Sequence, residues 1–332
     1  MENARTDPRF STRGNGEQPE NALTGTWSRK LAGFSPSAIQ VPSDFSLHRF
    51  WRDTSIAKLA PGGLRTLTLG TLGYEYDEAP LGVARPAGLA HLSATAEDVL
   101  CLQDYVATFT IATATHALTL YRHASGALVF SAGTVQWVWG LDDAHDVGSL
   151  PGRVSGAADP DIRQATLNLL ADMGVLPETL QLGLVAATVS TDGTPPTSTI
   201  NVPLPGSVLK PGQTIQITGA ASDIDCRVAG VEISVNDGVT WRPAQGREAW
   251  SFKWMPTGNG PINIRSRAFD DSGNIEESSP GVAVTVSDVS WAPILLIVVA
   301  TCIQKRSDLH SAAFSTRINC DQRPPQTRDN CE

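Results

Sequence analysis

The sequence predicts an α/β region followed by an all-β sandwich, and three observations are consistent with that prediction. One well-delimited helical pattern, at residues 159–174, stands among short strand-like runs, the mixture expected of an α/β layer. The stretch TVSTDGTPPTST, Thr188–Thr199, then loses all apolar periodicity and has the composition of an extended linker. Beyond it, β-branched runs recur between Asn/Asp-Gly turns, which is the rhythm of a sandwich.

Composition sets the outer bounds. With 332 residues and 41% hydrophobic content, the chain can bury two cores of ordinary size. Its 34 acidic against 25 basic residues leave a net charge of -9, which opposes attraction to phosphate backbones and anionic membranes, so no nucleic-acid partner is expected. Residues 1–19 are polar and aperiodic and are expected to be a disordered lead-in. They lack the apolar core of a secretory signal, so the chain as written has no expected export route, and its localisation stays open. The longest apolar run, Trp291–Ile303, contains a proline and is about 13 residues long against the roughly 20 of a membrane-crossing helix, so no membrane span is expected. Cys101, Cys226, Cys302, Cys320 and Cys331 show no CxxC and no histidine at zinc spacing, which reads as reduced, structural thiols and gives no metal prediction.

In chain order, Ala22–Trp27, Ala38–Val41 and Leu64–Gly70 read as short strands, with a short helix around Phe50 and Trp51 in Arg49–Lys58. Leu69–Glu78 (LGTLGYEYDE) reads as an extended run ending in tyrosines and carboxylates. Residues 85–115 contain a strand, a polar turn and an apolar segment whose state, helix or strand, the pattern leaves open. Ala117–Tyr121 and Ala127–Ala132, separated by Ala124, Ser125 and Gly126, read as a hairpin or adjacent strands feeding the acidic loop GLDDAHD. Asp159 or Asp161 can cap the helix, which carries Ile162, Ala165, Thr166, Leu169, Leu170 and Met173 on one side; Gly174 and Pro177 end it. It is expected to pack on the hairpin.

Several clusters have residue types that carry chemistry, each with a plainer counterpart. Tyr74, Glu75, Tyr76 and Asp77 offer oxygen donors that suit iron, manganese or calcium, or acid/base work; as a solvated loop with inward tyrosines they need no ligand. In an extended run Glu75 points the same way as Gly73 and Asp77, and the tyrosines point the other way. Asp142, Asp143, His145 and Asp146 could orient a metal or tune the histidine as a base, or form an ordinary charged loop. His91 and His116, at the edges of apolar runs, read as hydrogen-bonded core or rim residues rather than ligands.

Thr214–Thr218, Gly230–Val235, Trp250–Trp254, Ile262–Phe269 and Val282–Val286 argue for an antiparallel sandwich of immunoglobulin type at 200–288, with the linker set at 185–199. Trp241, Trp250 and Trp254 read as core packing, with Trp241 and Trp250 the alternative platform for a sugar. Asp223, Asp225, Asp270, Asp271 and Asn274 suit a calcium site at one end, while Asx-Gly turns explain the same residues without a metal. The tail, 289–332, has no strand rhythm and carries three of the five cysteines, as an altered reading frame or a mispredicted gene end would.

The ordered motifs Pro19–Gly25 (PENALTG), Phe50–Thr54 (FWRDT), Thr71–Asp77 (TLGYEYD), Arg85–Leu92 (RPAGLAHL), His116–His123 (HALTLYRH), Ser125–Asp142 (SGALVFSAGTVQWVWGLD) and Gln164–Pro177 (QATLNLLADMGVLP) cover about residues 19–184. Together they resemble the C-terminal region of the N,N-dimethylformamidase large (beta) subunit family. Residues 192–288, with VAGVEISVNDGVTW and RAFDDSGN, resemble the Ig-like module that often follows it in bacterial proteins. The resemblance implies an incomplete amidotransferase or flavodoxin-like layer over 20–184. It also implies an amide-hydrolysing ancestor holding one iron through two tyrosines and a glutamate, with a metal-bound water as nucleophile.

By that resemblance Glu75 is the candidate glutamate. The family's iron tyrosines lie upstream of PENALTG, which places them before Met1, and Tyr74 and Tyr76 are too close to Glu75 to stand in for them. The expectation is a truncated, non-catalytic relative of an iron-dependent formamide hydrolase that binds no iron, fused to an Ig-like interaction module. The competing expectation is a binding protein whose Ig-like module, with Trp241, Trp250 and Asp270, engages a polysaccharide, a protein partner or a second copy of the chain.

Overall fold

The computed structural model describes residues 20–32, 36–81, 85–103, 108–144 and 156–288. The expected lead-in 1–19, His145, Asp146 and the tail 289–332 lie outside the described residues.

The first region is built on three small sheets. Glu75–Glu78, Trp27–Ala32, Thr95–Gln103 and Thr110–His116 lie side by side in that order; Ala90–His91, Thr119–Arg122 and Leu128–Ser131 form a second sheet; Gln40–Pro42 pairs with Leu64–Thr66. Every one of these pairings is antiparallel. The flavodoxin-like layer is therefore corrected to a mixed region of small antiparallel sheets. Connectivity gives the reason: a parallel pair needs a long crossover, usually a helix, and the long helix of this region follows the last of its strands.

Local readings divide in the same way. The expected hairpin forms as Thr119–Arg122 against Leu128–Ser131, with Leu120 opposite Phe130. The undecided segment is a second hairpin, Thr95–Gln103 against Thr110–His116. Ala22–Trp27 is not one strand: Asn21–Thr24 is a helical turn that Gly25 ends at φ 79°, where a side chain would collide with Leu89, and the strand begins at Trp27. Arg49–Lys58 holds two 3-10 turns, Arg49–Trp51 and Ile56–Lys58. Phe50 and Trp51 are buried there, Phe50 stacking on Phe130 at 5.3 Å while Trp51 Nε1 donates to Leu92 O at 3.0 Å.

The helix, Pro160–Asp172, has the expected ends. Asp159 Oδ1 accepts from the Asp161 N–H at 2.9 Å, and beyond the helix Gly174, at φ 77°, and Val175 donate back to Ala171 O and Leu170 O at 2.9 Å. Its buried face differs. Ile162, Ala165 and Leu169 go inward as expected, but Leu170 and Met173 are exposed, and Asp161, Gln164 and Asn168 are buried instead. The helix lies mainly on the turns Arg49–Trp51 and Trp137–Gly140, and its polar side chains satisfy the backbone they present. Asn168 Nδ2 donates to Phe50 O and Arg52 O at 2.9 and 2.7 Å; Asp161 takes Ser55 and Arg65; Asp172 takes Arg49 and Arg52.

The sandwich follows its predicted rhythm. One sheet holds Thr197–Val202, Ile215–Ser222, Ala249–Trp254 and Gln245–Gly246; the other holds Val208–Leu209, Val282–Val286, Gly260–Asp270, Val228–Ser234 and Arg242–Pro243. All pairs are antiparallel except Val208–Leu209 with Val282–Val286. Ile217, Val231, Ile233, Trp250, Ile264 and Val284 fill the space between the sheets. Gly219 leaves room for the Trp250 indole, which any Cβ there would strike.

The two regions are docked. The loop after Gly260–Asp270 seats on the first region: Asp271 Oδ2 accepts from the Arg49 N–H at 3.0 Å, Ser272 O accepts from Arg122 Nε at 3.1 Å, and Ile275 lies against Gly88. Beside it, the buried Arg85 reaches Glu232 of the sandwich at 3.7 Å, and Arg267 closes on the same carboxylate at 2.7 Å.

Candidate functional site

The GYEYD residues meet a strand that separates them. Glu75–Glu78 pairs with Trp27–Ala32, placing Glu75 opposite Leu31, Tyr76 opposite Lys30 and Asp77 opposite Ser28. Tyr76 is fully buried and donates its hydroxyl to Glu97 Oε1 at 2.6 Å. Burial and then the Glu97 carboxylate hold that phenol well above its ordinary pKa. Glu75 and Asp77 share the other face, as the alternation predicts, and burial, followed by the charges of Glu75 and Glu20, pushes Asp77 up to about 6. Tyr74 falls just outside the strand, at φ 64° and 43% exposed. The four side chains do not converge on one point.

The second cluster is only partly described. Asp142 is exposed and accepts from the Ala144 N–H at 2.9 Å, and Asp143 Oδ1 accepts from the Ala158 N–H. His145 and Asp146 lie outside the described residues. His116 is buried, its Nε2 paired with Ala132 O at 2.9 Å; burial lowers it, and likewise His91, to about 4. Both rings are neutral near pH 7.

The proposed aromatic platform is corrected. Trp250 is 3% exposed, within the sandwich core, because it sits on the inward face of Ala249–Trp254. Trp241 is partly buried, and the Arg267 guanidinium covers its ring at 4.2 Å from the centroid.

Among the described residues, one set of three acidic, His or Cys side chains brings its ligand atoms within 4.8 Å of one another: Asp192, Asp223 and Asp270. Asp223 and Asp270 stand out in the sequence as turn or calcium residues. Asp192 does not, since it lies in a stretch whose composition reads as linker; the signal was the Asx turn it makes with Thr194, whose N–H it accepts at 2.9 Å.

Comparison with known proteins bears on both regions. Residues 2–149 match the family described as N,N-dimethylformamidase beta subunit-like, C-terminal, and residues 196–265 match the bacterial Ig domain. None of the curated proteins matches the chain. Among solved structures, the fibronectin(III)-like modules of Clostridium thermocellum CbhA are 22% identical, over 28% of this chain and 99% of theirs, with a TM-score of 0.25. The PKD domain of an M14-like peptidase from a Thermoplasmatales archaeon is 17% identical, over 28% of this chain and 93% of its own, with a TM-score of 0.22. The sulfane dehydrogenase SoxCD of Paracoccus pantotrophus is 13% identical, over 77% of this chain and 64% of its own, with a TM-score of 0.22. No helix among the described residues is long and apolar enough to cross a membrane, and an Ig-like module is consistent with an interaction role. The chain thus carries an N,N-dimethylformamidase beta subunit-like C-terminal domain followed by a bacterial Ig domain.

Proposed function

We propose that this chain is a non-catalytic relative of an iron-dependent formamide hydrolase, in which the first region serves as a scaffold for an Ig-like interaction module. The observation that carries the reading is the division of the GYEYD strand. An iron site of two tyrosines and a glutamate needs phenolates and a carboxylate aimed at one point. Here the Tyr76 hydroxyl is buried against Glu97, with a pKa raised rather than lowered, and Glu75 lies on the opposite face. Tyr74, Glu75 and Tyr76 do not fit that metal.

The docked junction supports the scaffold half of the reading, because Arg85, Arg49 and Arg122 all engage the Ig-like module. A sugar platform finds less support, since Trp250 is in the core and Arg267 covers Trp241. The test is to incubate the purified chain with ferrous iron and N,N-dimethylformamide, following dimethylamine and formate release, and to measure iron content after desalting. Substoichiometric iron and no amine above the buffer are expected. Stoichiometric iron with turnover that Glu75→Ala abolishes would overturn the reading.

A further inference from the structure

The outer side of the helix Pro160–Asp172 is apolar at its C-terminal end, where Leu170 and then Met173 are exposed, and the chain beyond keeps that character. The Val175 N–H donates to Leu170 O at 2.9 Å; further on, the Val185 N–H donates to Gln164 Oε1 at 2.9 Å and Gln164 Nε2 donates to Val185 O at 3.0 Å. Both ends of this segment are therefore tied to the helix. Leu167, Ala171 and Ala187, with Leu184 against them, form a small core beneath it. The segment nevertheless carries apolar side chains that this core does not take in: Val175 is 57% exposed, Leu176 55% and Leu182 fully.

Area and charge point to one occupant. Leu170, Met173, Val175, Leu176, Leu182 and Val185 together leave roughly 700 Å² accessible, more than the roughly 300–600 Å² of the largest apolar patch on a typical monomer. That is within the about 600–1,000 Å² that each partner gives to a standard interface. From Met173 to Ser190 the one charged residue is Glu178, in a chain whose net charge is -9. Two copies of such a chain repel over most of their surface but not here, whereas a strongly charged partner finds nothing on this face to complement. Leu100 and Ile111, which face each other across the hairpin of Thr95–Gln103 with Thr110–His116, form a second, smaller patch with the exposed Asp98 beside it.

We propose that the outer side of Pro160–Asp172 and the segment 173–185 join two copies of this chain in a two-fold dimer. In a two-fold contact the same patch meets itself, so one surface satisfies both partners. Removal of Leu176, Leu182 and their neighbours from water drives the association. The contact does not depend on whether the first region holds iron, and the assembly carries two Ig-like modules.

The test is sedimentation velocity of the full chain over a concentration series. A mass near twice 35.2 kDa is expected, with a dimer Kd of roughly 10⁻⁶ M, the weak end for an interface of this size. Leu182→Glu changes a side chain that is fully exposed in the single chain, so the fold is kept. It should raise the Kd at least about tenfold, because it puts charge into an apolar contact; Leu176→Glu should act likewise, and Ile111→Glu should change nothing. A wild-type mass of 35.2 kDa at about 100 µM overturns the proposal. So does a dimer that survives Leu182→Glu combined with Leu176→Glu, or one that Ile111→Glu dissociates. A monomer whose Tm falls on Leu182→Glu would mean that another part of the same chain covers this face, and overturns it equally.

Discussion

Along Val282–Val286 the side chains alternate, Val282, Val284 and Val286 going inward while Ala283 and Thr285 stay outside; along Pro160–Asp172 in the first region, Asp161, Gln164 and Asn168 go inward while Leu170 and Met173 are exposed. The contrast follows from what each element covers. The facing sheet has its backbone paired and presents mainly apolar side chains, the buried Ser198, bonded across to Ser266, being an exception, so alternation suffices. The turn Arg49–Trp51 and the residues after it, Arg52 to Ser55, present carbonyls, N–H groups and arginines, and the helix laid on them needs polar side chains. The acids of the first region are thus largely occupied as anchors, as is the buried Glu232 of the sandwich, whereas Asp192 and Asp223 lie in loops beside the end of the strand Gly260–Asp270, where residues distant in sequence converge.

The sharpest way to break this contrast is at the sandwich core. Trp250→Ala removes the largest side chain between the sheets and is expected to lower unfolding stability by about 3–5 kcal/mol, read by urea denaturation. A loss below about 1 kcal/mol, the range of surface changes, would mean that the indole does not hold the sheets together.

The next effect has the opposite sign. Asp77 has a folded-state pKa of about 6 against an ordinary 3.8, so the folded protein binds that proton more tightly than the unfolded chain. Stability from this group is intact below the unfolded value and is lost as pH rises from about 4 through about 6. Asp77→Asn, neutral throughout, should match wild type near pH 4 and exceed it near pH 8 by at most about 3 kcal/mol. Thermal unfolding of both proteins across that range checks the sign: a variant destabilised at pH 8 would show that the Asp77 charge has a favourable partner.

How much of this was legible in the sequence depends on the range of the interactions concerned. The helix ends, the hairpin turning at Gly126 and the strand Val282–Val286 were readable because caps, turns and alternation act within a few residues. The antiparallel order of the first region was not, since it depends on which strands meet at long range. The helix face was misread because an apolar-inward rule assumes an apolar surface opposite, and Arg49, Arg52 and Arg65 provide a charged one. In the candidate site, the separation of Tyr76 from Glu75 and Asp77 followed from period two alone, while Asp192 was hidden by a linker-like composition that says nothing of where the chain passes.

The smallest expected effect bears most directly on the first region's chemistry. Glu75 is partly exposed on the face shared with Asp77, and Gln keeps its size while removing a charge that disfavours ionised Asp77. Glu75→Gln should therefore change stability by no more than about 0.5 kcal/mol, leave iron content unchanged, and move the Asp77 titration toward lower pH, because one of the two carboxylates raising it is gone. A ligand to iron would behave otherwise: its loss would release the metal and lower the Tm by far more. NMR titration of the Asp77 carboxyl beside metal analysis separates the two, since electrostatic coupling moves only the titration and coordination moves the metal.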